Sequence, residues 1–188
     1  MLWKVKTKWF CTALLTVLFT LSVQSTVAYF SATGTATNIV TSGSIRLQIH
    51  EKTDQGTVFP TGGVYVMPGD VVSKQVSVEN ICQHPFFLRV KVLYGADSRE
   101  LPAEECFRLN IDTLNWQYHD GWYYYTETLQ PGQTTPCLFS LVEIVGEQVD
   151  NRYLGKTLSL TVTAQAVQSQ NNPITDGLVY TAVGWPAE

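Results

Sequence analysis

Hydrophobic and polar residues alternate one for one along several stretches of this chain. Over residues 44–51, Ile45, Leu47 and Ile49 fall on one face and Arg46, Gln48 and His50 on the other. That period of two predicts a half-buried β-strand. The longest such run is 157–168, with Leu158, Leu160, Val162, Ala164 and Ala166 on one face and Thr157, Ser159, Thr161, Thr163 and Gln165 on the other. After a Pro68-Gly69-Asp70 turn, Val72, Val76 and Val78 share a face on which Lys74 is the exception. A further run, 86–93, places Phe86, Leu88, Val90 and Val92 inward and Arg89 and Lys91 outward. Two such runs around the short link 81–85 predict an antiparallel hairpin.

The alternation breaks at residues 96–115. Pro102 followed by Glu104 and Glu105 suits the start of a short helix over 101–109, because acidic side chains complement the positive end of the helix dipole. Trp116 to Tyr125 then carries Asp120-Gly121 between aromatic residues. Asp-Gly is a hairpin signal, since a type I′ turn needs positive φ at both centres. Gln130-Pro131-Gly132 is another turn, and 138–145 another strand. Residues 52–63 read as a loop, and the tail 169–188 is left unassigned. Seven or eight strands joined mostly by short turns make an all-β antiparallel sandwich with one short helical insertion. An aromatic content of 12% and recurrent Thr, Val and Tyr agree with it.

Export is expected from the N-terminal segment. Lys4, Lys6 and Lys8 precede an apolar run, 10–23, and then small residues. This is the order of a secretory signal peptide. Thr26 and Ala28 fit the −3 and −1 pockets of a signal peptidase, which places the cut between Ala28 and Tyr29. The apolar run is 14 residues, short of the roughly 20 that span a bilayer. Membrane contact is therefore expected only transiently, through this segment. The expected organisation is a signal peptide over 1–28, an N-terminal arm or strand over 29–43, and a β-sandwich over 44–188.

The whole chain carries −4, and loss of the three leader lysines leaves nine basic against sixteen acidic side chains. With no basic run, nucleic acid is not an expected partner. Cys11 would leave with the leader. Cys82, Cys106 and Cys137 remain, an odd number that in an exported protein suggests one disulfide of unassigned pairing plus a further thiol. Buried reduced thiols are the alternative.

Candidate chemistry is sparse. His50, His84 and His119 are scattered and none lies in a His-Glu-x-x-His motif. There is no Gly-x-Ser-x-Gly elbow. No catalytic residue, metal site or cofactor is expected. Trp122 and Tyr124 face one way on their strand and Tyr123 and Tyr125 the other, so half of this aromatic run is expected in the core.

Several pieces in order resemble one family. They are Val27-Ala28-Tyr29-Phe30-Ser31 after an apolar run, Gly43-Ser44-Ile45-Arg46-Leu47, and the Pro-Gly-Asp turn leading to a strand ending Glu79-Asn80. Leu88-Arg89-Val90-Lys91-Val92, the Asp120–Tyr125 aromatic hairpin with its Pro131-Gly132 turn, and Thr161–Gln168 complete the set. Together they look like the TasA/camelysin family of exported Gram-positive proteins. The resemblance spans roughly residues 28–168. It implies a jelly-roll-like sandwich, release by a SipW-type signal peptidase, and a secreted or cell-surface protein of the biofilm matrix. Its partners would be further copies of itself or other matrix proteins. It further implies assembly by strand addition, in which the N-terminal strand of one subunit enters the sheet of the next. The candidate donor residues here are Tyr29, Phe30, Ser31, Ala32, Thr33 and Gly34, within an uncharged stretch, 29–39. Two alternatives are a camelysin-like metallo-endopeptidase and a surface adhesin or ligand-binding module using the aromatic hairpin.

Overall fold

The computed structural model describes residues 28–31 in their backbone pairing, and residues 45–97, 103–149, 153 and 155–187. The expected leader, Ala28 aside, lies outside the described residues.

Among these residues the chain is a sandwich of two sheets. The strands are β1 (Ala28–Ser31), β2 (Leu47–Lys52), β3 (Val64–Val66), β4 (Val71–Asn80), β5 (Phe86–Ala96), β6 (Phe107–Leu109), β7 (Trp116–His119), β8 (Trp122–Tyr125), β9 (Phe139–Ile144) and β10 (Thr157–Gln168). One sheet has the order β3-β1-β10-β5-β8-β7 and the other β2-β4-β9-β6. Pairing is antiparallel throughout except between β1 and β10, which run parallel. β4 and β9 are neighbours in one sheet, and their successors β5 and β10 are neighbours in the other. The chain thus crosses between the layers twice in the same way, which makes the sandwich jelly-roll-like.

The alternating patterns become the two inner faces. Leu158, Leu160, Val162 and Ala164 of β10 meet Val76, Val78, Phe139, Val142 and Ile144 of the other sheet in one core, with Phe86, Leu88 and Val90 of β5. Each large side chain moved out of water here contributes roughly 1.5–3 kcal/mol. β10 and β5 are the longest pair, in register from Leu158↔Ala96 to Gln168↔Phe86. Asp120 (φ 47°) and Gly121 (φ 79°) form the tight turn between β7 and β8 with both centres left-handed, as their sequence requires.

Two local expectations are corrected. Residues 72–93 do not form a hairpin, because β4 and β5 lie in different sheets. The link between them is a corner built on the fully buried Asn80. Its Nδ2 donates to the carbonyls of His84 and Leu129, both at 2.9 Å, and its Oδ1 accepts from the Cys82 N–H at 2.9 Å. An Asn that gathers these groups turns the chain across the end of the sandwich instead of back along β4. The helix expected over 101–109 is a single 3₁₀ turn, Glu104–Cys106. The next residues are drawn into β6, where Phe107 pairs with Ile144 and Leu109 with Val142.

The tail has a definite place. Residues 169–187 lie across the outer face of the larger sheet, where Val179, Ala182, Tyr180 and Trp185 pack with Phe87, Trp122, Tyr124 and Val167.

Candidate functional site

β1 occupies a slot between two strands of the larger sheet. On one side Tyr29, Phe30 and Ser31 pair with Thr157, Leu158 and Ser159 of β10. On the other, Ala28, Tyr29 and Phe30 pair with Val66, Tyr65 and Val64 of β3. β3 has only three residues and joins the sheet through β1 alone. Taking β1 away would uncover the backbone of β10 and detach β3. Of the candidate donor residues, Tyr29, Phe30 and Ser31 lie in this strand, and Ala32, Thr33 and Gly34 fall outside the described residues. The expected scissile bond, Ala28–Tyr29, lies within the paired segment.

The aromatic hairpin is divided as its alternation predicts, but its outer half is covered. Trp122 and Tyr124 are buried beneath the tail. Arg89 is the post of this contact. Its guanidinium carbon lies 4.1 Å from the Trp122 ring centre and 4.8 Å from that of Trp185. Its nitrogens donate to Gln165 Oε1, to Tyr124 Oη and to the Pro186 carbonyl. His119 stacks on Tyr180 at 4.0 Å. Arg89 reads from its strand as an outward, solvated charge; only the tail makes it a buried one.

The inner half of the hairpin opens onto a cleft of about 420 Å³ lined by Val92, Tyr94, Glu104, Ile111, Thr113, Tyr118, Gly121 and Tyr123. Tyr118 and Tyr123 are cross-strand partners with ring centres 5.1 Å apart and planes tilted by 55°. Burial pushes the Tyr94 hydroxyl up to about 12, and the nearby Tyr123, Glu104 and Tyr118 push the same way. Tyr123 is raised by burial and then by Tyr118 and Glu104. Three tyrosine hydroxyls and one carboxylate therefore converge on one space, where burial and the charge of Glu104 oppose further negative charge. The sequence reading missed this cleft. The available signals were Tyr94, which continues the inward parity of β5, and the Tyr118–Tyr123 pair across the Asp-Gly turn.

The remaining candidates do not come together. His50 Nε2 meets Glu79 Oε2 at 2.7 Å on the face of the smaller sheet. His84 is in the Asn80 corner, and His119 is under Tyr180. Among the described residues no three His, Cys, Asp or Glu side chains group so as to hold a metal ion. No disulfide joins any pair of Cys82, Cys106 and Cys137. The Cys82 thiol donates to Asn80 Oδ1 at 3.0 Å, and Cys106 is fully buried in the core. Cys137 is half-buried, and burial raises its thiol above the ordinary range, which keeps it protonated and a poor nucleophile. Lys74 does point inward and is paired with Glu51. Among the described residues no helix is long and apolar enough to cross a membrane. No protein-family model, curated protein or solved structure matches this chain.

Proposed function

We propose that this chain is an exported structural protein of the cell surface or extracellular matrix whose subunits join by exchange of the N-terminal strand. The observation that carries this reading is the position of β1 between β3 and β10. Strand addition needs a segment held mainly by main-chain hydrogen bonds and a sheet with an open place for it. β1, four residues long, pairs along its backbone with a strand on each side. Its ladder partners are backbone groups of Val64–Val66 and Thr157–Ser159, which do not distinguish the chain's own strand from a neighbour's. An unfilled slot exposes a row of donors and acceptors that another chain can pair with. Cleavage before Tyr29 would free this strand as a new terminus. The TasA/camelysin resemblance supports the same reading, and no catalytic role is assigned.

The test uses the protein beginning at Tyr29 and a variant lacking 29–40, compared by light scattering and electron microscopy, with circular dichroism to establish folding. Concentration-dependent filaments from the longer protein only, and capture of a synthetic 29–40 peptide by the shorter one, are expected. The same filaments from the truncated protein, or a longer protein that stays monomeric in every condition, would overturn the reading.

A further inference from the structure

We propose that the tyrosine cleft is a binding site for an organic ammonium group, such as a quaternary ammonium or the end of a lysine side chain. Tyr94, Tyr118 and Tyr123 supply ring faces and hydroxyl oxygens, Val92 and Ile111 apolar walls, and Glu104 the only formal charge among the described residues that line it. A cation held over aromatic faces is attracted by their quadrupoles, and a carboxylate beside them adds to that attraction.

Three features select this ligand class. The first is sign. Among the described residues no Lys, Arg or His lines the cleft, and Glu104 acts on both Tyr94 and Tyr123. An anion would meet the same opposition as a tyrosinate. The second is shape. The Tyr118 and Tyr123 rings, tilted by 55°, make a corner. A corner of ring faces surrounds a compact rounded group, whereas a sugar ring stacks on a flat platform. The third is access. Tyr118 is 63% exposed, so the cleft opens to solvent, and its volume of about 420 Å³ suits a small ligand or one side chain. One carboxylate and neutral hydroxyls are too few for a hard metal ion, which gathers six or more oxygen ligands or keeps its water.

The experiment is titration of the folded full sandwich with choline, tetramethylammonium and Nα-acetyl-lysine methylamide, followed by calorimetry and by tyrosine signals in nuclear magnetic resonance. 3,3-Dimethylbutanol, the neutral shape analogue of choline, and glucose are the comparison probes. Saturable binding of at least one ammonium probe is expected, weakened on the order of tenfold in Glu104→Gln and in Tyr118→Ala. Tyr118→Phe keeps the ring face and should keep most of the affinity. Both positions, 104 and 118, are exposed, and unchanged circular dichroism would establish that folding is intact. Tighter choline binding points to a free small molecule and tighter lysine binding to a peptide, and either supports the site. Absence of saturable ammonium binding, equal affinity for the neutral analogue, preference for glucose, or indifference to Glu104→Gln would each overturn it.

Discussion

Lys74 Nζ lies 2.9 Å from Glu51 Oε1 on the neighbouring strand, with no exposure of the lysine side chain and 14% of the glutamate's. The Phe59 ring covers the ammonium at 4.8 Å, and the Phe59 N–H donates to the Glu51 carbonyl at 2.9 Å, so the loop after β2 closes over the pair. Neither charged atom makes a further well-aligned hydrogen bond. Burial lowers the lysine below its ordinary value, and the nearby Glu51 offsets part of that effect.

Breaking this pair from one side should cost more than removing it. Removal of one partner of a buried pair costs about 3–5 kcal/mol, while an apolar replacement of both is often neutral or stabilising. Glu51→Leu, which strands a fully buried ammonium, is expected to lower urea stability most. Lys74→Met should cost less, and the double variant should recover most of the loss. Stability is also expected to respond to alkali through Lys74. Between its lowered folded value and the ordinary 10.5, the unfolded chain binds the proton and the folded chain does not. Stability attributable to Lys74 therefore rises with pH across that window. Urea midpoints of the native chain and Lys74→Met, compared up to pH 10, check this. A difference between them that does not change with pH would contradict it.

Tyr94 gives the opposite slope. Its folded value of about 12 stands above the ordinary 10.0. Stability contributed by its protonated form is complete below pH 10 and is lost as pH rises through 12, because the unfolded chain releases its proton first. Ultraviolet titration of tyrosinate should show a late-ionising tyrosine that disappears in Tyr94→Phe. Glu104→Gln should move that step to lower pH, since it removes a negative neighbour.

The tail is expected to be part of the folded domain. Trp185→Ala removes one face of the Arg89 sandwich and uncovers Tyr124. Loss of such a packed aromatic costs up to roughly 3–5 kcal/mol in a core, and less here because Trp185 is half-buried. The near-ultraviolet circular dichroism of the tryptophans should fall and binding of a hydrophobic dye should rise. Arg89→Met keeps volume but leaves Gln165 Oε1 and the Pro186 carbonyl without their donor, so it should destabilise too.

Processing and docking of β1 are expected to exclude one another. The Ala28–Tyr29 bond lies in a strand paired on both sides, and a protease needs that bond extended and free. Uncleaved protein allowed to fold first should be cut more slowly than protein presented unfolded. Ala28→Leu should block cutting in either state, because a bulky side chain does not fit the −1 pocket. Phe30→Pro, placed between Leu158 and Val64, removes a ladder donor and should weaken β1 docking without unfolding the core. Amide exchange of β3 and of the first residues of β10 would report it as lost protection.

The one-dimensional pattern determined what depends on neighbours along the chain. The inward face of β10, Leu158 to Ala166, and the left-handed turn at Asp120-Gly121 were both legible, because side-chain period and turn dihedrals are local. So was the division of Trp122 to Tyr125 between two faces. Tertiary structure decided what each face meets. Strands β4 and β5 alternate as a hairpin would, yet alternation is the same whether a strand returns within its sheet or crosses to the opposite one; the Asn80 corner decided it. Arg89 carries an outward pattern and is buried because a segment nearly 100 positions away, at Pro186, closes over it. Lys74 has the parity of the core but the chemistry of the surface, and Glu51 on another strand supplies the countercharge that lets it stay inside. The tyrosine cleft joins Tyr94, Glu104 and Tyr118 from three separate elements, a proximity that arises only when the larger sheet, the 3₁₀ turn and the loop through Ile111 and Thr113 meet.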